Sequence, residues 1–249
     1  DSTEYCGHCW FCTHGMHNLC AQRRIVGVAC TEYRKNGAMA QYIAVKARTL
    51  YALPPTVSFE QGCLVEPFAV GMHAVLRSGL AAGQTAAVIG DGTIGLMTLI
   101  AAKSQGAQVC ISGHHARPMQ LAAQLGALDC AQLPQLTAER GADVVYDAVG
   151  SQSSFTQAME LVRKGGRIMV IGNHARQIDF PLQRCITEQI DVQFSYSSAG
   201  EYPVCLQAIA EGRADLTGLW QSFPLAEGAQ VFDRLVHRDE SLTKAILIP

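Results

Sequence analysis

Residues 86–107, AAVIGDGTIGLMTLIAAKSQGA, write a strand, a glycine turn and a helix in immediate succession. Ala86, Ala87, Val88 and Ile89 are small or branched apolar residues that suit a buried strand. Gly90-Asp91-Gly92-Thr93-Ile94-Gly95 is a G-x-G-x-x-G, after which Leu96, Leu99 and Ile100 recur at helical spacing until Gly106 stops them. That order is what a dinucleotide site requires. Gly90 turns the chain sharply, Gly92 lets a pyrophosphate approach the backbone, and Gly95 lets the helix pack close to the sheet. The N–H groups of the first helical turn then face the phosphates, aided by the helix dipole.

The remainder of 85–198 extends this unit. Gln108–Ser112, Asp143–Val149, Arg167–Ile171 and Asp191–Tyr196 read as further strands, with a shorter candidate at 127–132 and helices near 117–125 and 153–162. Alternating strands and helices predict an α/β fold with a doubly wound parallel sheet of the Rossmann type. Ligands bind outside the carboxyl ends of such strands, so Val149, Gly150 and Gly172 are candidates for backbone approach to a coenzyme, or else ordinary strand-end turns. In NAD-binding sheets an acid about 20 residues beyond the glycines accepts from the ribose 2′-OH. Here the place reads Ser112-Gly113-His114-His115-Ala116-Arg117, without an acid. Ser112, His114 and His115 can donate hydrogen bonds and Arg117 can neutralise a 2′-phosphate, which favours NADP over NAD. The alternative is a solvated loop.

The chain's 249 residues, 49% of them apolar, suffice for one large or two ordinary domains. A net charge of -2 and no basic run argue against nucleic acid as a partner. No apolar stretch reads as a membrane span, and no signal peptide is visible. The opening, Asp-Ser-Thr-Glu-Tyr-Cys, suggests that an upstream segment is missing from this sequence.

Four of the ten cysteines, Cys6, Cys9, Cys12 and Cys20, crowd the first twenty residues as C-x-x-C-x-x-C-x(7)-C. Four thiolates so close can complete a tetrahedral zinc site with no open position, hence a structural one; an iron–sulfur cluster or free thiols are the alternatives. His8, His14 and His17 are expected to be exposed loop residues. The other six cysteines are scattered, which reads as a reducing, cytoplasmic setting.

Between the cysteines and the glycine turn, 24–29 and 38–45 read as short strands separated by Asn36-Gly37. Ser58, with Gln61 at the capping-box position, opens a helix that Pro67 should kink or restart. Glu66, an acid in an apolar segment, is either a capping or ion-paired group or an acid aimed into a cleft between domains. His73 reads as a satisfied core histidine, with contact to a ligand as the alternative. Toward the end, 202–211 and 225–235 are amphipathic helices and 244–249 a last strand, packed against the β-rich N-terminal part.

Together, the cysteine loop, Asn36-Gly37-Ala38-Met39-Ala40-Gln41-Tyr42, Leu64-Val65-Glu66-Pro67-Phe68-Ala69-Val70 and Gly90–Gly95 resemble the zinc-dependent medium-chain dehydrogenases, in particular the sorbitol and sugar-alcohol branch with threonine dehydrogenases close by. The resemblance implies a partial GroES-like catalytic domain (1–67 and 199–249) with a structural zinc on the four cysteines, and a Rossmann domain (68–198). It implies Glu66 as the active-site residue, at or beside a catalytic zinc whose other ligands belong upstream of Cys6. It implies hydride transfer between a secondary alcohol or ketone of small size and NAD(P), in a homodimer or homotetramer paired through 191–196. A non-catalytic NAD(P)-binding module with structural zinc alone is the alternative reading. A zinc-free quinone or enoyl reductase fits the fold but not Glu66 or the cysteine loop.

Overall fold

The computed structural model, which describes residues 1–237, 239 and 241–249, opens with three short strands, β1 (Thr3–Glu4), β2 (Arg24–Val26) and β3 (Arg34–Lys35), and a single helical turn, α1 (Trp10–Thr13), after the first. The long helix α2 (Phe59–Ser78) leads into β4 (Thr85–Ile89), α3 (Thr93–Ser104), β5 (Gln108–Ser112), α4 (Ala116–Gln124), β6 (Leu128–Asp129), α5 (Leu133–Thr137), β7 (Ala142–Asp147), α6 (Gln152–Leu161), β8 (Val162–Val170), α7 (Leu182–Thr187) and β9 (Asp191–Phe194). After α8 (Tyr202–Ala210) come β10 (Gln221–Pro224), α9 (Gly228–Val236) and β11 (Ala245–Ile248), the two strands pairing in parallel.

β4 is buried along its whole length, and after Thr85 it is apolar. It lies between β5 and β7 in a six-stranded sheet of order β6-β5-β4-β7-β8-β9, every pairing of which is parallel. Both faces are covered, and the side chains divide between them with the two-residue period of a strand. Ala86, Val88, Val109, Ile111, Val144, Tyr146 and Met169 join one core, shared with α2, α3 and α8. Ala87, Ile89, Cys110, Val145 and Ile168 join the other, shared with α6 and with Cys185 of α7. The strand order reverses between β4 and β7, which opens a crevice at their carboxyl ends.

The capping box at the start of α2 is present in both directions, Gln61 N–H to Ser58 Oγ and Ser58 N–H to Gln61 Oε1. The expected restart at Pro67 is not: α2 runs unbroken through it. A proline removes one N–H, and here the acceptor deprived is the carbonyl of Cys63, a residue open to solvent. Buried packing on both sides of Pro67 holds the rest of the helix together. Segment 38–45 forms no strand. It finds no partner among the described residues, and Met39 and Tyr42 are exposed. The region 127–132 divides into the two-residue β6 and a helical turn capped by Asp129.

The expected domain boundary at 67/68 falls inside α2. α8, expected in the other unit, contributes Tyr202, Cys205, Leu206, Ala208 and Ile209 to the core beneath the sheet. These α8 residues share that core with buried residues of α2. No helix among the described residues is long and apolar enough to cross a membrane.

Candidate functional site

At the carboxyl ends of β4, β5 and β7 lies a cavity of about 500 Å³. Its floor is Ile89-Gly90-Asp91-Gly92, one wall is Ser112-Gly113-His114-His115, and the other is Ala148, Val149, Ser151, Ser153, Ser154 and Gln157. The glycines act as their positions require. Gly90 has φ +103° and donates its N–H to the Ser112 carbonyl at 2.8 Å, tying the turn to β5. Gly92 caps α3 and has no atom within 4 Å of where a Cβ would stand, so the space above it is open. A Cβ on Gly95 would lie 1.8 Å from the Gly90 carbonyl oxygen, so only glycine lets α3 start so close to the strand end.

The opposite wall is organised by Asp147, which sequence reading passed over as a strand-end residue. Its carboxylate is fully buried and accepts from the N–H groups of Val149 and Gly150, both at 2.9 Å, and from Ser154 Oγ at 3.0 Å. Its carbonyl accepts from Ile171 and Gly172. These bonds fold the turn after β7 over the cavity. Gly150 and Gly172 are pressed together there: a Cβ on Gly150 would meet the Gly172 carbonyl oxygen at 2.1 Å. An acid ending an apolar strand is the signal that was available for Asp147.

Residues 111–117 carry no acid, but the structure brings one to the end of β5 from the neighbouring glycine turn. The Asp91 side chain crosses from the glycine turn into the volume left empty at Gly113, where a Cβ would lie 2.3 Å from the Asp91 side chain. Its Oδ2 accepts from the His115 N–H at 2.6 Å and its Oδ1 pairs with His115 Nδ1 at 2.8 Å. Burial raises the Asp91 pKa, but the hydrogen bonds from the His115 ring and backbone outweigh it and hold the carboxyl below its ordinary value. Two residues with a gap of 21 between them thus share one site because parallel β4 and β5 end side by side.

Of the other sequence candidates, Gly90, Gly92, Ser112, Gly113, His114, His115 and Val149 line the cavity. Thr93, Ile94 and Gly95 stand in the first turn of α3 behind the floor, and Gly150 and Gly172 support the wall from behind. Arg117, in the first turn of α4, does not line the cavity; it is half-buried and its Nε finds no partner. Ile89, Ala148, Ser151, Ser153, Ser154 and Gln157 line it unforeseen.

The second site is the cysteine loop. The Sγ atoms of Cys6, Cys9, Cys12 and Cys20 all lie within 4.8 Å of one another, with separations of 3.5 Å for Cys9–Cys12 and 3.9 Å for Cys6–Cys12 and Cys9–Cys20. A tetrahedron of zinc–sulfur bonds of about 2.3 Å has edges of about 3.8 Å. The set therefore fits a single ion and is too tight for a cluster with inorganic sulfides between the cysteines. Gly7 and Gly15, with φ +83° and +77°, reverse the chain on either side of α1 and bring the sulfurs in. N–H groups of Cys9 and Cys6 point at Cys6 Sγ and Cys20 Sγ, both at 3.3 Å. Backbone N–H groups of Cys12 and Ala21 lower the Cys9 thiol to about 6, whereas burial pushes Cys12 up to about 12. A divalent cation supplies the charge that lets all four ionise together.

His14 stacks on Trp10, and His17 lies half-buried against Tyr5 at 4.0 Å; neither enters the sulfur set. His73 is satisfied as expected, its Nδ1 2.7 Å from Glu201 Oε1. Beside it, Asn18 of the cysteine loop donates to the Tyr196 carbonyl at 2.7 Å and so docks the loop beyond β9. Glu66 is partly buried on α2 and accepts from Ser2 Oγ at 3.1 Å. The residues around it do not make a metal site. Among the described residues, the four cysteines are the one convergent group of three or more metal-type side chains.

Comparison with known proteins follows the same division. Residues 2–55 match the alcohol dehydrogenase GroES-like domain, and residues 93–211 match the zinc-binding dehydrogenase family. The uncharacterized zinc-type alcohol dehydrogenase-like protein YdjJ of Escherichia coli is 31% identical over 97% of this chain and 72% of its own length. A sorbitol dehydrogenase of Bacillus subtilis is 27% identical over 98% of this chain and 71% of its own. The crystal structure of an oxidoreductase/dehydrogenase of unknown specificity from Escherichia coli superposes with a TM-score of 0.91 at 30% identity, covering 99% of this chain and 73% of that one.

Proposed function

The chain belongs to the zinc-type alcohol dehydrogenases of the medium-chain family, and from that premise we propose that it serves hydride transfer between a secondary alcohol of the polyol or sugar-alcohol class and a nicotinamide dinucleotide. The observation that carries this reading is the cavity at the strand-order reversal, floored by Gly90–Gly92 and open above Gly92. The dinucleotide, when bound, supplies the hydride acceptor.

The chain's own residues do the rest. The first turn of α3 offers its free N–H groups to the pyrophosphate. The turn held by Asp147 closes the side of the cavity where Val149 stands. Cys6, Cys9, Cys12 and Cys20 would hold a structural zinc and so tie together residues 6–20, a lobe whose own core is small. Glu66 stands where α2 meets the N-terminal segment, with Ser2 Oγ on its carboxylate and Tyr202 nearby. We place it beside the reacting alcohol as the group that holds its proton. Among the described residues no second metal-type group converges on Glu66, so its role is argued from the carboxylate alone. β9 forms an edge of the sheet, with Phe194 exposed, and we propose that two copies pair along it.

A test is turnover by the full chain with a panel of polyols and simple alcohols, followed through reduced nicotinamide. Oxidation of a polyol is expected. Coenzyme binding without turnover of any alcohol supports instead a dinucleotide-binding module, which the cavity and the four-sulfur site by themselves make. Glu66→Gln is expected to lower kcat by roughly 100-fold or more with coenzyme affinity unchanged; an unchanged kcat returns Glu66 to a structural role.

A further inference from the structure

We infer that Asp91 reads the adenosine ribose: its carboxylate, carried on the glycine turn, stands in for a side chain at Gly113 and selects NAD(H) over NADP(H). This deepens the dinucleotide reading of the cavity and rests on it.

The argument is one of volume and charge. A sheet of this order places the ribose hydroxyls at the end of the strand beside the glycine turn, where a carboxylate accepts from the 2′-OH. In this chain that strand, β5, ends in Ser112-Gly113. The position at Gly113 is sterically closed, because a Cβ there would lie 2.3 Å from Asp91 Cβ and Cγ and 2.4 Å from Oδ2. An acid at 113 and the acid at 91 exclude one another, and one carboxylate fills the site whichever residue carries it. Asp91 and Gly113 both line the cavity that a ligand would enter.

Its orientation is fixed. Each carboxylate oxygen has one bond to His115, to the backbone N–H or the ring. Each keeps a further lone pair for a hydroxyl donor. A ribose 2′-OH can donate to it. A 2′-phosphate places like charge within a few ångströms of a carboxylate that is 4% exposed and poorly screened by solvent. The cation best able to offset this, Arg117, does not line the cavity. The inference that a missing strand-end acid favours NADP therefore loses its premise.

The experiment titrates the full chain with NADH and with NADPH, following nicotinamide fluorescence. NADH is expected to bind at least about tenfold more tightly. Asp91→Asn is expected to erase most of that difference. The paired substitution Asp91→Gly with Gly113→Asp, which moves the acid back to the strand end, is expected to restore it. His115→Ala, which loosens the loop but keeps the carboxylate, is expected to preserve or widen the preference. A wild-type preference for NADPH overturns the proposal, as does an Asp91→Asn variant with an unaltered ratio or a His115→Ala variant that mimics Asp91→Asn. Failure of both coenzymes to bind overturns the cavity reading as a whole, an outcome distinct from binding with the wrong preference.

Discussion

Replacing Cys20 with serine is expected to strip the chain of its structural zinc and to lower its stability by at least about 4 kcal/mol. Cys20 is fully buried and receives N–H groups from Cys6 and Gln22 on its sulfur, both at 3.3 Å. With one thiolate gone, the remaining three hold the ion far less tightly, and zinc binding in such sites is folding free energy. The loop has little else. Residues 6–20 contain only two short helical turns, Trp10–Thr13 and His17–Leu19, and Trp10 and Phe11 of the first are exposed. Its main anchor outside the sulfurs is Asn18 on the Tyr196 carbonyl. Loss should therefore begin in residues 1–55 and leave the central sheet folded. Zinc analysis and hydrogen exchange check this. One zinc per chain in the wild type, none in the variant, and faster exchange confined to the N-terminal lobe are expected. Retained zinc or unchanged exchange contradicts the assignment.

Gly95→Ala is expected to be the most damaging single change in the dinucleotide unit. The added methyl would lie 1.8 Å from the Gly90 carbonyl oxygen and 2.8 Å from its carbon, both backbone atoms with no room to yield. α3 must then move away from β4, and the free N–H groups of its first turn leave the cavity. A loss of more than roughly 100-fold in coenzyme affinity, together with several degrees of Tm, is the expected outcome. Gly92→Ala separates binding from folding. Nothing lies within 4 Å of a Cβ there, and φ is -70°, which any residue accepts. Its Tm should be unchanged while affinity falls, because the methyl occupies the space through which the pyrophosphate approaches. Equal affinity in Gly92→Ala and wild type would place the phosphates elsewhere.

Much of this was legible in the sequence because it rests on local rules. The G-x-G-x-x-G between an apolar run and a helical repeat identified β4, the turn and α3. Ser58 and Gln61 located the start of α2, and cysteine spacing located the four-sulfur cluster. What escaped depends on neighbours distant in sequence. Asp91 was legible as a member of the glycine motif, but its contacts with Gly113 and His115 exist only once β5 brings them beside it. Arg117 suited a phosphate by charge, but the helix it begins carries it away from the cavity. Pro67 broke the local rule for helices, and packing on both sides of α2 overrode it. Segment 38–45 showed apolar residues suited to strands, but strand formation needs a partner that lies in no local pattern. Gly71 carried no motif at all. It lets α2 approach α3 so closely that a Cβ would lie 2.7 Å from the Thr98 nitrogen.

The central claim is that the bend at Gly90–Gly95 delivers a nicotinamide dinucleotide to the cavity between the ends of β4, β5 and β7. Isothermal calorimetry of the full chain with the reduced coenzymes tests it most directly. The account predicts one dinucleotide bound per chain, with the heat abolished in Gly95→Ala and strongly weakened in Gly92→Ala. No heat with either coenzyme, or heat that survives both substitutions, would contradict it.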